Sequence, residues 1–304
     1  MNVNTDTLIG LRTNFRAIFQ KTLAETAGTM TDYTKISTYF KSDTEQEVYD
    51  WLGEVPSMSE WTDERRQRAL NEAYMTIVNK HYEATLGVDR DKIEDDKLGQ
   101  YAIRIRGLAV AALRYYNEAV FNLLNAGHTG LAYDGSIFFG TTRTIGKSAA
   151  IVNYSSGNYS DSDSEIRTGL QTAIAYMRSY QDEYGKPINL VPDTIVCSPT
   201  MELPIKDALV PGVAGVVRPE MSYVKNIISS PFITSGSGKD WFVLCTTAEV
   251  NPLIFQMRKP PEFDALDNPN DSYVFLKKKF LYGVDTRFNV GYADPRTAIM
   301  LVNT

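Results

Sequence analysis

The chain has 304 residues, 43% hydrophobic and 22% charged, a mix that suits one large or two ordinary domains and excludes a collagen, a disordered tail or a disulfide miniprotein. Its net charge is −6, from 31 basic and 37 acidic residues, so any contact with nucleic acid must come from a local basic patch. The longest apolar runs, such as 108–113, fall far short of the ~20 residues of a membrane span, and no basic-then-apolar leader opens the sequence.

Residues 6–24 space Leu8, Leu11, Phe15, Ile18 and Phe19 by threes and fours, a helix with Asp6 as N-cap. Residues 29–44 are polar and irregular, with isolated aromatics at Tyr33, Tyr39 and Phe40. Residues 48–56 are aromatic-rich but broken by Gly53 and Pro56, at best a short edge strand. A turn or two of helix is expected over 62–68. From 74 to 88, alternation of Tyr74, Thr76, Val78, Lys80, Tyr82, Ala84 and Leu86 with the other face predicts a strand. Residues 45–90 thus hold two strands joined by a connection too long for a tight hairpin.

The acids Asp89, Asp91, Glu94, Asp95 and Asp96 lead into the strongest helix of the sequence. Its stripe runs through Leu98, Tyr101, Ala102, Ile105, Leu108, Ala109, Ala112, Tyr116, Ala119, Leu123 and Leu124. Asp95 or Asp96 caps it, Gly127 ends it, and its length is about 45 Å, enough for a spine across the molecule. Residues 128–160 are turn-rich around the apolar run Ile137-Phe138-Phe139. Ser162 and Glu165 form a capping box for a helix that carries Ile166, Leu170, Ile174, Met177 and Tyr184 inward and stops at Gly185. A buried strand at 193–199 closes on Pro199, a short helix follows at 202–209, and 210–219 is a loop. Strands are expected at 224–228, 241–245, 253–258, 273–281 and 298–302, giving an α+β arrangement with no internal repeat.

Chemical motifs are weak. Gly146-Lys147-Ser148 lacks the phosphate-loop glycine five positions earlier, where Thr141 stands. Asp89-x-Asp91 fails as a calcium loop because residue 94 is Glu, and acids ahead of a helix are explained by its dipole. The acids at 161, 163 and 165 belong to the capping box. No GxSxG elbow occurs, only His81 and His128 are present, and no His or Cys spacing suits a metal. Cys197 and Cys245 are expected as buried, reduced thiols. Lys277-Lys278-Lys279 reads as a charged strand edge, with a weak phosphate contact as the minor alternative. No catalytic residue, metal or cofactor site is expected. What stands out is 18 Tyr, 13 Phe and 3 Trp, several in the least core-like stretches: Tyr49, Trp51 and Trp61 are expected to bury against another subunit. That favours an interaction protein over an enzyme.

Residues 49–61, Tyr-Asp-Trp-Leu-Gly-Glu-Val-Pro-Ser-Met-Ser-Glu-Trp, resemble a segment of the major head proteins of phage Mu and its relatives. So do Asn79-Lys80-His81-Tyr82-Glu83-Ala84-Thr85-Leu86-Gly87-Val88 and its continuation through Leu98-Gly99 and Tyr101. Tyr133-Asp134-Gly135 with Phe138-Phe139, Pro252-Leu253-Ile254-Phe255-Gln256, Arg258-Lys259-Pro260-Pro261 and Phe280-Leu281-Tyr282-Gly283 are similar to later family segments.

The resemblance implies an α+β, Hong Kong 97-like capsid fold. It divides the chain into an N-terminal arm (1–44), an extended loop (45–95), a peripheral domain with the spine helix (96–155), an axial domain (156–250) and return strands of the peripheral domain (251–304). The implied function is the major capsid protein of a tailed bacteriophage head. The alternatives are a nanocompartment shell of the same fold or a soluble α+β enzyme. Subunit interfaces are expected at Trp51, Trp61, Pro211 and Arg218. Implied partners are further copies of the chain in pentamers and hexamers, a separate scaffold and protease, and a portal. Packaged double-stranded DNA would be held without sequence-specific contact, with no membrane involved. The expected location is the virion capsid, assembled in the host bacterial cytoplasm. No scaffolding segment is expected ahead of the arm.

Overall fold

Helix α1 (Thr5–Ala27) turns Leu8, Leu11, Phe15 and Phe19 into the core, as their spacing requires. A computed structural model describes the chain at residues 5–49, 74–94, 98–145, 147–160, 162–209 and 219–304. The stretch 29–44 is more regular than its sequence suggests: it holds a short helix, α2 (Asp32–Ile36), and a strand, β1 (Ser37–Lys41). That strand is stabilised by a parallel partner far along the chain, which no local period reports.

Strands β2 (Gln46–Tyr49) and β3 (Met75–Val78) pair antiparallel as a ribbon. The single strand expected over 74–88 is two, β3 and β4 (Lys80–Asp89), broken at Asn79. There the Asn79 side chain is 8% exposed and donates to Ser42 Oγ and the Thr44 carbonyl, so a polar anchor interrupts the run.

After a helical turn, α3 (Arg90–Glu94), comes the spine, α4 (Leu98–Asn125), 28 residues and about 42 Å long. Its expected capping acids, Asp95 and Asp96, lie outside the described residues. Tyr101, Ile105, Ala109, Ala112, Tyr116 and Leu124 are buried as the stripe predicts. Leu113, Val120 and Phe121 are buried too, because the C-terminal half of α4 is covered on two sides. A 3-10 turn, Ala126–His128, ends the helix where Gly127 predicts.

Strand β5 (Tyr154–Gly157) precedes α5 (Asp163–Ser179). Ser162 Oγ accepts from the Glu165 N–H at 3.4 Å, the N-cap expected. The helix stops at Ser179, not at Gly185: Tyr180 is extended and its hydroxyl donates to the Val152 carbonyl at 2.6 Å. Residues 181–187 then form a turn in which Asp182 Oδ1 accepts from the Tyr184 and Lys186 N–H groups and Gly185 takes a positive φ of 82°. Tyr184 is therefore outside the helix.

The rest follows as β6 (Thr194–Cys197), α6 (Pro199–Leu209), β7 (Asn226–Ser229), β8 (Trp241–Leu244), β9 (Leu253–Leu266), α7 (Ser272–Lys277), β10 (Lys279–Tyr292) and β11 (Ala298–Asn303). The strand expected at 273–281 is mostly helix. Asp271 accepts from the Tyr273 N–H at 2.8 Å as N-cap, and Lys278 closes the turn at φ 50°. Lys277 and Lys279 thus do not share a strand face.

Four strands form one sheet in the order β1-β9-β10-β4, and five form another in the order β5-β11-β8-β6-β7. Residues 251–304, taken together above, divide between them: β9 and β10 are in the first, β11 is in the second. Helices α1 and α4 pack on one face of the four-stranded sheet through Phe15, Phe19, Ile105, Phe263, Phe280 and Tyr282. The five-stranded sheet is buried on both faces. Ile195, Cys197, Trp241 and Val243 meet α5 and α6, while Val196, Phe242, Leu244 and Met300 meet the C-terminal half of α4. Double-sided burial explains why β6, β8 and β11, inside the sheet, read as mostly apolar runs, whereas the edge strands β5 and β7 do not.

Candidate assembly surface

Among the described residues, no group of three or more His, Cys, Asp or Glu side chains could hold a metal. Cys197 and Cys245 are free and buried, and burial pushes the Cys197 thiol up to about 12, which leaves it protonated and inert at neutral pH. Gly146 lies outside the described residues. Beside it, the Lys147 N–H donates to the Glu183 carbonyl and Ser148 Oγ accepts from the Ile145 N–H, an ordinary packed turn.

The outward face of the four-stranded sheet is charged in rows set by register. Glu83, Asp285 and Glu262 lie side by side across β4, β10 and β9; the next row is His81, Arg287 and Lys259. Lys259 Nζ sits 3.0 Å from both Asp285 Oδ2 and Glu262 Oε2, and His81 Nε2 is 3.4 Å from Asp285 Oδ2. Partial burial pushes the Asp285 carboxyl up, but Lys259 and His81 outweigh it and hold it below the usual range. Lys259 and His81 are thus matched by acids rather than left as part of a basic stripe.

Apolar surface is concentrated elsewhere. The ribbon exposes Val48 and Tyr74 at the end next to 50–73 and Val78 at its base, and α7 carries Phe275 and Leu276 at 80% and 74% exposure. A cavity of about 310 Å³ opens between α4 and strands β4 and β10, lined by Tyr82, Ala84, Ala111, Tyr115, Val284 and Thr286. The small alanines there leave the space that larger side chains would fill.

All four residues expected at interfaces, Trp51, Trp61, Pro211 and Arg218, lie outside the described residues. The third aromatic grouped with the two tryptophans does not behave as expected. Tyr49 is only 4% exposed within its own chain, against Phe40 at 5.3 Å, with its hydroxyl donating to Gln256 Oε1 at 2.9 Å. A Tyr at the end of a polar-looking segment gave no local sign of this partner.

The stretch 210–218 is flanked by α6 and by Pro219. Next to it, Glu220 is buried and accepts from Arg167 at 3.1 Å and from Gln171, both on α5. Burial pushes its carboxyl up, but hydrogen bonds from its own backbone N–H, Gln171 and Arg167 prevail and hold it below the usual range. The chain immediately after 218 is therefore tied to α5.

This order of elements, a long spine helix on one sheet beside a second, doubly covered sheet, is the Hong Kong 97-like fold of phage capsid subunits. The procapsid protein of bacteriophage JBD30 superposes with a TM-score of 0.60 at 25% identity, covering 98% of this chain and 75% of that one. The sequence profile of the family described as Mu-like prophage major head subunit gpT matches residues 8–166 and 217–301, and the chain belongs to that family. It is 28% identical over 291 residues to the Mu-like prophage FluMu major head subunit of Haemophilus influenzae, covering 96% of this chain and 71% of the relative. It is 27% identical over 299 residues to the major capsid protein of Escherichia phage Mu, covering 98% of this chain and 74% of the relative. The family consists of structural head subunits, so the chain is a major capsid protein of a tailed phage and not an enzyme.

Proposed function

We propose that the subunit closes into rings of five and six that tile a shell, with residues 210–218 at the ring axis and Trp51 and Trp61 buried against a neighbouring copy. The supporting observation is the ribbon β2–β3. It exposes Val48 and Tyr74 where the chain enters and leaves 50–73, the most tryptophan-rich stretch of the sequence. Apolar surface of this kind is covered in an assembly. We assign 1–44 to an arm, 45–95 to the extended loop, 96–155 and 251–304 chiefly to the peripheral domain, and 156–250 to the axial domain. Strands β1 and β4 are lent to the peripheral sheet and β11 to the axial one.

A separate scaffold and protease and a portal complete this reading, with assembly in the host bacterial cytoplasm. Double-stranded DNA would be packaged without sequence-specific contact, in keeping with a net charge of −6. No helix among the described residues is long and apolar enough to cross a membrane. Electron microscopy of the purified protein tests the proposal. Closed particles hundreds of ångströms across support it, and a monomer or small oligomer under all assembly conditions refutes it.

A further inference from the structure

Gln256 is a fully buried amide near the start of β9, on the outward face of the sheet, between the half-buried Phe40 of β1 and Asn289 of β10. An uncharged polar side chain with no water must find protein partners. It finds them in the ribbon. Gln256 Oε1 accepts from the Tyr49 hydroxyl at 2.9 Å, and Gln256 Nε2 donates to the Ile77 carbonyl at 3.2 Å and to Asn79 Oδ1 at 2.8 Å. Asn79 Nδ2 passes the chain on to Ser42 Oγ at 2.8 Å and the Thr44 carbonyl at 2.9 Å. Ser42 Oγ donates to Glu47 Oε1 at 2.8 Å, and the same oxygen collects the Asp43 and Thr44 N–H groups. One continuous network therefore ties both strands of the ribbon, and the turn that enters it, to the centre of the sheet.

Two further contacts fix the same geometry. Asn289 Nδ2 donates to the Val78 carbonyl at 2.7 Å. A Cβ on Gly291 would lie 2.4 Å from Ile77 Cδ1, so β10 lacks a side chain where the ribbon presses closest. A two-stranded ribbon has little stability of its own. Hydrogen bonds are directional where apolar contacts are not. The network thus does what packing alone cannot: it sets the direction in which the ribbon leaves the body.

We infer that Gln256 and Asn79 are positioning residues for assembly, holding the ribbon at one angle so that every copy presents residues 50–73 to its neighbour in the same way. This rests on the shell-forming function proposed above. Neither residue touches a neighbour in this reading; both act through the ribbon.

The test pairs Gln256→Leu, which keeps the bulk and removes both hydrogen-bonding atoms, with the milder Tyr49→Phe and Asn79→Ala. Hydrogen exchange on full-length subunits is read at the ribbon amides and at β6 and β8 of the other sheet. Ribbon amides should exchange at least about tenfold faster, the scale set by leaving a buried donor unpaired, with β6 and β8 unchanged. Assembly reactions should then give shells of mixed size and shape. Retained ribbon protection, or loss of protection with shells as uniform as the parent's, overturns the inference. If Gln256→Leu fails to fold, the two milder variants decide by the same readings. A parent protein that never forms shells refutes the proposed function separately, and exchange at the ribbon still decides whether the network holds it.

Discussion

Gly127 shows how much a single hydrogen atom can matter. Its φ is not in the positive region, so conformational freedom is not why glycine is there. The reason is space: a Cβ would stand 2.5 Å from Phe139 Cδ2 and 3.2 Å from Phe138 Cδ1, on two buried rings. Gly127→Ala should cost about 1–3 kcal/mol through overpacking, seen as a lower denaturant midpoint with an unchanged slope. Glu220 acts by charge instead. Its carboxyl is held below the usual range, so its contribution is present above the ordinary carboxylate value and fades as pH falls through the depressed one. Glu220→Gln should destabilise by about 1–2 kcal/mol at pH 7, and the gap from the parent should shrink in acid, where the parent's carboxyl is neutral too. A gap that stays constant from neutral pH to pH 3, measured by thermal melts, would show that charge is not involved.

At the scale of elements, α1 depends on a few contacts. Phe15 meets Tyr282 edge-on at 5.1 Å, and Arg12 pairs with Asp267 at 3.3 Å. Phe15→Ala should remove about 3–5 kcal/mol, with hydrogen exchange rising in α1 before it rises in β6 or β8. The helices were legible in sequence because their period is local: α1, α4 and the start of α5 are where the spacing of Phe15, Ile105 and Ile166 puts them. Strand β1 was not, since Tyr39 and its neighbours pair with Leu253–Met257, and nothing in 37–41 reports that partner. Helix α7 was misread because Tyr273, Val274 and Phe275 favour a strand by propensity, while the Asp271 cap decides for a helix. The buried amide at Gln256 was equally silent. A lone Gln in an apolar strand acquires meaning only when Tyr49 and Asn79 arrive from elsewhere in the chain.

At the scale of the whole molecule, the proposed interfaces make two claims that can fail separately. Trp61→Ala should leave the subunit folded and block or weaken assembly, since a central interface Trp is worth about 2–4 kcal/mol at each contact. Circular dichroism of disassembled subunits beside gradient sedimentation reads both. A much lower melting temperature, with normal shells from the surviving folded protein, would place Trp61 within its own chain. Dissociated subunits should also bind duplex DNA no more tightly than micromolar at physiological salt, because the net charge is −6 and Lys259 and His81 are matched by acids. Sub-micromolar binding would count against a shell wall over which the genome slides.

The central place of β11 in its sheet has a consequence in time. It lies between β5 and β8, pairing with strands made roughly sixty to a hundred and fifty residues earlier. During synthesis, β5, β6, β7 and β8 all emerge while the strand that joins β5 to the others is still missing. Helices α5 and α6 have half a sheet to rest on, and the C-terminal half of α4 lacks Met300 beneath it. A nascent chain therefore has no finished five-stranded sheet to offer another copy until Ala298–Asn303 has left the ribosome. Strand order of this kind delays assembly competence until this last strand of the sheet is made and keeps unfinished subunits out of a growing shell.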